Sequence, residues 1–128
     1  MKKIASDLIP IVEEHCKQLL QETSGVFTVV LATADGFDIA SASIRGTDPA
    51  KIAAMSSSMM SICAAAADET HLGSTNGMTI TSDKGLLYST YIEINGLNYI
   101  LCVIADSSVI QAQVIYRCND LSKRLKFL

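Results

Sequence analysis

The stretch AKIAAMSSSMMSICAAAADET, residues 50–70, decides the fold, because it indicates a helix with no charge from Ile52 to Ala67. Asp48 precedes it as a helix cap and Pro49 suits the first helical position. The sixteen uncharged residues span about 24 Å as a helix. They are too short and too rich in serine to cross a bilayer. Such a helix needs partners on more than one side.

A β-hairpin is predicted immediately before this helix, within GVFTVVLATADGFDIASASI, residues 25–44. Two β-rich runs flank the pair Asp35-Gly36, which favours a tight turn in which both central residues take positive φ. The strands are expected at about 26–33 and 37–44.

Three further strands are predicted after the helix, which we expect to end near Leu72 with Gly73 as a left-handed C-cap. They lie within GMTITSDKGLLYSTYIEINGLNYILCVIAD, residues 77–106, with turns at Asp83-Lys84-Gly85 and Asn95-Gly96. The segment LNYILCVIA is almost wholly apolar, which favours a central strand covered on both faces. The segment MTITS is short and alternating, which favours an edge strand.

A helix is predicted at each end of the chain. Residues 7–22 form the first, with Asp7 as its cap and Pro10 in its first turn. The last starts at Ser108, where Gln111 completes a possible capping box. The apolar positions expected to face the core are Leu8, Ile11, Val12, Cys16, Leu19 and Leu20 in the first helix and Ile110, Val114, Cys118, Leu121 and Leu125 in the last. The fold class is α+β, one domain over residues 1–128, with helices packed on a five-stranded antiparallel sheet in the order α-β-β-α-β-β-β-α.

The composition limits the classes of function. The chain has 128 residues, 49% of them hydrophobic and 18% charged, with a net charge of −3. This balance favours burial of surface in an oligomer and argues against nucleic-acid binding, which needs a basic patch. The basic residues Lys123, Arg124 and Lys126 suit the carboxyl end of the last helix.

The sequence offers no candidate catalytic or metal-binding constellation. Cys16, Cys63, Cys102 and Cys118 are expected to be reduced thiols on apolar phases, as in a cytoplasmic protein. His15 and His71 are expected to be structural, and no metal-ligand spacing, phosphate loop or nucleophile motif is present. Asp7, Pro10, Glu13 and Glu14 break any signal-peptide core after the initial MKK. We expect a non-enzymatic protein without a metal or cofactor.

The central helix carries two different faces when residues are placed at about 100° steps. A larger apolar stripe is assigned to the protein's own sheet: Ile52, Met55, Met59, Ile62, Cys63 and Ala66. The opposite stripe is small and suits the close approach of a second helix: Ala54, Ser58, Ser61 and Ala65. Met60 is placed between the two faces as an adaptable contact.

These faces predict a homodimer. In two antiparallel copies of the helix, Lys51 of one approaches Asp68 or Glu69 of the other, twice, as an isologous contact requires. The edge strand adds a second contact through Met78, Thr79, Ile80 and Thr81, which would give a ten-stranded sheet. The alternative is a solvent-facing helix, in which these end charges would oppose the helix dipole.

The sequence resembles the roadblock family, the dynein light chain roadblock-type domains, whose fold is roadblock-like or profilin-like. The similarity lies in GVFTVVLATADGFDIAS (25–41), ADETHLGSTNGMTITSDKGLLYSTYI (67–92) and LNYILCVIADSSVIQAQVIYRCNDLSKRL (97–125). It implies a homodimer joined through the second helix and the third strand. Prokaryotic members act beside a Ras-like small GTPase as regulators or activating partners, and eukaryotic members scaffold larger complexes.

Other functions stay open at this point. A small-ligand sensor would need convergent polar groups, for which Ser56 and Ser57, or Tyr88 and Tyr91, are candidates. Arg45, in the loop before the central helix, could serve as an arginine finger toward a GTPase. The family resemblance does not support that role. The favoured prediction is a dimeric partner of a Ras-like small GTPase, without membrane insertion.

Overall fold

The computed structural model describes residues 4–128 and has the predicted order of helices and strands. The elements are α1 (Ile9–Glu22), β1 (Val26–Thr33), β2 (Asp38–Ser43), α2 (Pro49–Glu69), β3 (Gly77–Ser82), β4 (Gly85–Ile94), β5 (Leu97–Asp106) and α3 (Gln111–Leu125). The five strands form one antiparallel sheet in the order β2-β1-β5-β4-β3. The predicted fold class, the central place of β5 and the edge position of β3 are confirmed.

The two faces of the sheet are covered unequally. On the α1 and α3 side, a large cluster buries Val29, Leu31, Leu101 and Val103 of the sheet against both helices. Its helical members are Val12, Cys16 and Leu19 from α1 and Val114, Cys118, Leu121 and Leu125 from α3. On the α2 side the buried cluster is small: Val30, Ala32, Ala53 and Cys102, with Ile52, Leu87 and Ile104 partly covered.

Two of the three tight turns of the sheet, those at Asp35-Gly36 and Asn95-Gly96, follow different rules. Asn95 and Gly96 both have positive φ, 50° and 81°, as a type I′ turn requires. At the other turn only Gly36 has positive φ (98°). There the Thr33 N–H donates to the Phe37 carbonyl at 2.8 Å, which closes a three-residue loop. The prediction of two positive φ angles is therefore wrong at Asp35, and β2 starts one residue later than expected.

The start of α2 is confirmed and its end is corrected. The Asp48 carboxylate accepts the Ala50 N–H at 3.0 Å, and proline follows at the first helical position. The helix ends at Glu69, and His71 rather than Gly73 takes the left-handed position (φ 58°) that ends it. The Leu72 N–H then donates to the Ala67 carbonyl at 2.8 Å, and the His71 N–H to Asp68, which is a Schellman motif.

The side-chain caps predicted for the other helices are wrong. α1 begins after Leu8 without a side-chain cap, so Asp7 does not cap it. α3 begins at Gln111, because Ser108 instead donates through its hydroxyl and its N–H to the Asp106 carboxylate. Ile11 and Ile110 are 45% and 60% exposed, so neither belongs to the core stripe.

Candidate protein-interaction surface

α2 runs across the sheet from β1 toward the edge strand β3. Ala53 packs with Val30 and Cys102 in the middle of the sheet, and the Cys63 thiol lies 3.6 Å from the Met78 sulfur on β3. The ten residues between span about 15 Å, which matches the three strand spacings of about 4.8 Å from β1 to β3. The six residues after Cys63 therefore extend about 9 Å further, past the edge of the sheet.

The inner side of α2 consists of small side chains and one methionine. Ala53, Ser56 and Met60 are fully buried. Met60 thus has no surface left for a partner, and its placement between the faces and in a dimer contact is wrong. Because α2 has small residues on every side, the sequence does not show which side faces the sheet. On the inner side these small residues allow the helix to lie close to the sheet.

Part of the predicted inner stripe faces outward. Met55 and Ile62 are 53% and 69% exposed, and Ala66 is exposed as well. The orientation of the helix is fixed from the hairpin side, where the Ser57 hydroxyl donates to the Ala34 carbonyl at 2.8 Å. Of the predicted stripe, Ile52, Met59 and Cys63 are half-buried.

The outer stripe of α2 lies where the sequence places it. The residues predicted for the interface on this helix are exposed: Lys51, Ala54, Ser58, Ser61, Ala65, Asp68 and Glu69. On the adjacent edge strand, Met78 and Thr79 are half-buried, Thr81 is exposed and Ile80 is 40% exposed. We call this helix face and the adjacent edge strand together the α2–β3 surface; the helix contributes small side chains along its length and charged side chains at its ends.

An apolar groove adjoins this surface on the same side of the sheet. It has a volume of about 330 Å³, and Phe27, Ile80, Leu87 and Ile104 line it. Two cations, Arg45 and Lys84, and no carboxylate complete its walls. No sequence pattern predicted this groove, because its residues come from four different strands and from the loops that hold Arg45 and Lys84.

Arg45 is held at the groove by two contacts. Its guanidinium lies 4.2 Å from the centre of the Phe27 ring and 3.5 Å from the Asp106 carboxylate. Hydrogen bonds from Ser108, together with this guanidinium, hold the pKa of Asp106 below its usual value. An arginine engaged in this way forms part of the groove wall.

The residues suggested for a ligand sensor do not converge. Ser56 is buried between α2 and the sheet beside Ser89 and Cys102, whereas Tyr88 belongs to the cluster on the opposite face. Ser57 is engaged with the hairpin backbone. In residues 4–128 no three His, Cys, Asp or Glu side chains are arranged to hold a metal ion.

The cysteines divide into three buried thiols and one at the surface layer. Cys16, Cys102 and Cys118 are buried and free, and Cys63 is half-buried. Burial raises the pKa of Cys16 and of Cys118 to about 12. These two thiols are therefore poor nucleophiles near neutral pH.

By length and composition alone, α2 is long and apolar enough to cross a membrane. The sequence-based prediction rested only on its sixteen uncharged residues, which are too short for that. One such helix is weak evidence for a membrane span, because helices packed in folded domains have the same composition. Here Ala53, Ser56 and Met60 bury one side of it in the domain.

Comparison with known proteins places the fold in a family. No curated protein sequence matches the chain. MglB of Myxococcus xanthus superposes with a TM-score of 0.83 at 19% identity, covering 98% of this chain and 92% of that one. A Roadblock/LC7 domain of Streptomyces avermitilis gives 0.77 at 20% identity, with coverages of 88% and 92%. Profilin IA of Acanthamoeba castellanii gives 0.52 at 14% identity, with coverages of 88% and 94%. The family model of the Roadblock/LC7 domain matches residues 12–105, and the chain belongs to that family.

Proposed function

We propose that the protein is a non-enzymatic, cytoplasmic homodimer that binds and regulates a Ras-like small GTPase. The observation that carries the dimer is the α2–β3 surface, an exposed helix face beside an open strand edge. The link to a GTPase is supported by membership of the Roadblock/LC7 family and by the fold shared with MglB.

The exposed apolar side chains support a partner on this surface. Met55, Ile62 and Ile80 are each at least 40% exposed and lie around the small-residue stripe. Contiguous apolar patches on soluble proteins mark interaction sites. The alanines and serines between them allow a second helix backbone to approach closely.

If two copies of the chain pair through β3 about a two-fold axis, the end of α2 in one copy and the apolar groove in the other become complementary. The last six residues of α2 extend past the sheet, and the apolar groove of the same chain lies uncovered. With β3 paired to its copy, the overhanging end of one α2 lies over the groove of the other chain. Asp68 and Glu69 then approach Lys84 of the partner copy, so that opposite charges meet twice. Lys51 lies near β1, too far from the β3 edge to reach them across this axis.

The dimer would present a ten-stranded sheet with two antiparallel helices on one side. Family membership suggests that the GTPase docks on a surface that both copies build. Since the described residues hold no candidate catalytic group, regulation would act by repositioning the GTPase's own residues.

The GTPase proposal is tested by nucleotide-dependent binding. The immobilised chain is exposed to a lysate of its source organism containing GTPγS or GDP, and retained proteins are identified by mass spectrometry. A retained Ras-like GTPase is then purified and titrated against the chain in both nucleotide states. We expect saturable binding that differs between the nucleotides. Absence of a Ras-like GTPase from both eluates, or titration without binding, would contradict the proposal.

A further inference from the structure

The second edge of the sheet, β2, has its own open backbone groups. The Ile44 N–H donates to the Phe27 carbonyl at 3.0 Å, so this pair is bonded across the β1–β2 ladder. In an antiparallel ladder alternate residues turn their N–H and C=O groups the other way. Ser41 and Ser43 therefore direct these groups away from β1, toward the outside of the sheet.

After its first residue, Asp38, β2 lacks the features that usually protect an edge strand. Residues 39–44, IASASI, contain no charge and no proline. Native sheets commonly block free edges with lysine, proline or a covering segment. An unprotected edge of this kind is suited to accept another strand.

A groove runs beside this edge, between the strand and α1. It has a volume of about 230 Å³ and is lined by Lys17, Leu20 and Gln21 from the helix and by Ala42, Ser43 and Ile44 from the strand. Leu20 and Ala42 are half-buried, and Ile44 is 72% exposed. Lys17 is the one charged group of this lining, and within residues 4–128 it forms no ion pair.

We propose that an extended peptide segment of a partner protein adds to β2 as a sixth strand. Its backbone bonds to the outward groups of Ser41 and Ser43. Alternate apolar side chains enter the groove between the strand and α1, and an acidic side chain lies against Lys17. Strand addition beside a helix combines backbone bonding with side-chain pockets in this way. The site is independent of the α2–β3 surface.

The test uses the ¹⁵N-labelled full chain and a blocked hexapeptide that alternates valine with polar residues and carries one aspartate. We expect amide shifts confined to β2 and the second half of α1. Ser41→Pro removes one outward N–H without removing a β1 bond, and it should weaken binding about tenfold or more. Ser41→Ala keeps that N–H and should bind like wild type. Lys17→Glu should weaken binding of the aspartate peptide and strengthen binding of the same peptide with lysine in place of aspartate.

Several results would overturn the proposal. In the titration, these are amide shifts confined to β3, or no binding at millimolar peptide. Among the variants, it is an equal loss of peptide affinity for Ser41→Ala and Ser41→Pro. In solution, it is a wild-type mass above that of the dimer which returns to the dimer mass in Ser41→Pro. The last result would assign the edge to another copy of the chain. Circular dichroism reports whether Ser41→Pro still folds, and Lys17→Glu decides the question if it does not. The dimer mass and GTPase binding should not change in these variants, which separates this proposal from the proposed function.

Discussion

The two faces of the sheet differ in how completely the chain covers them. The face under α1 and α3 buries a large cluster with fully enclosed leucines and valines. The hydrophobic cluster under α2 has four buried members, and the outer side of this helix carries the exposed Met55 and Ile62. The face under α1 and α3, which we call the closed face, therefore supplies most of the stability of the single chain. The face under α2, which we call the open face, keeps apolar surface free for partners.

The largest difference should appear on truncation of a leucine in each face. Leu101→Ala removes a fully buried side chain from the closed face and should lower the free energy of unfolding by about 2–5 kcal/mol. Leu87→Ala, in the half-buried groove, should cost distinctly less. Urea unfolding at one fixed chain concentration measures both variants. Equal losses would remove the distinction between the faces.

High pH should act on the closed face. Folding raises the pKa of Cys16 and Cys118 from 9.0 to about 12, so their contribution is complete below pH 9 and is lost as the pH rises toward 12. The unfolded chain releases the protons first, and by pH 10 this lowers the free energy of unfolding by on the order of 1 kcal/mol per thiol. Unfolding of wild type and Cys118→Val between pH 8 and 10.5 checks it. A variant with the same pH slope as wild type would contradict the assignment.

Removal of the α2 cap should have a moderate effect. Asp48→Ala deletes the acceptor of the Ala50 N–H and should cost about 1 kcal/mol. Asp48→Ser keeps an acceptor and serves as the matched control. Thermal unfolding compares the two, and equal losses would show that the cap contributes little.

The smallest effect on chain stability is expected on the outer face of α2. Met55→Gln with Ile62→Gln replaces exposed side chains and should change the stability of the monomer by no more than about 0.5 kcal/mol. The same change should weaken dimer formation, measured by analytical ultracentrifugation over a range of concentrations. A large loss of monomer stability would show that these side chains belong to the core.

Sequence patterns predicted the closed face well and the open face poorly. Val114, Cys118, Leu121 and Leu125 are buried as expected, because polar residues separate them at helical spacing. α2 has alanine and serine on every side, so neighbouring Met59 and Met60 could not be assigned to faces from spacing alone. The structure buries Met60 and leaves Met55 outside.

The start of α3, the end of α2 and the groove were not predicted for a different reason. Ser108 has two competing uses, and its bonds to Asp106 displace the start of α3 to Gln111. His71 takes a left-handed conformation for which glycine is preferred, so Gly73 was the expected choice. The groove at Phe27 and Ile104 depends on strand register and on the path of α2, which local sequence does not encode.

The most direct test of the dimer is the solution mass by light scattering. Wild type should give about twice the chain mass of 13.7 kDa. Ser58→Arg with Ser61→Arg places two charges in the small-residue stripe, which is exposed in the single chain, and should give a folded monomer. A monomeric wild type, or a double variant that stays dimeric, would contradict the α2–β3 interface.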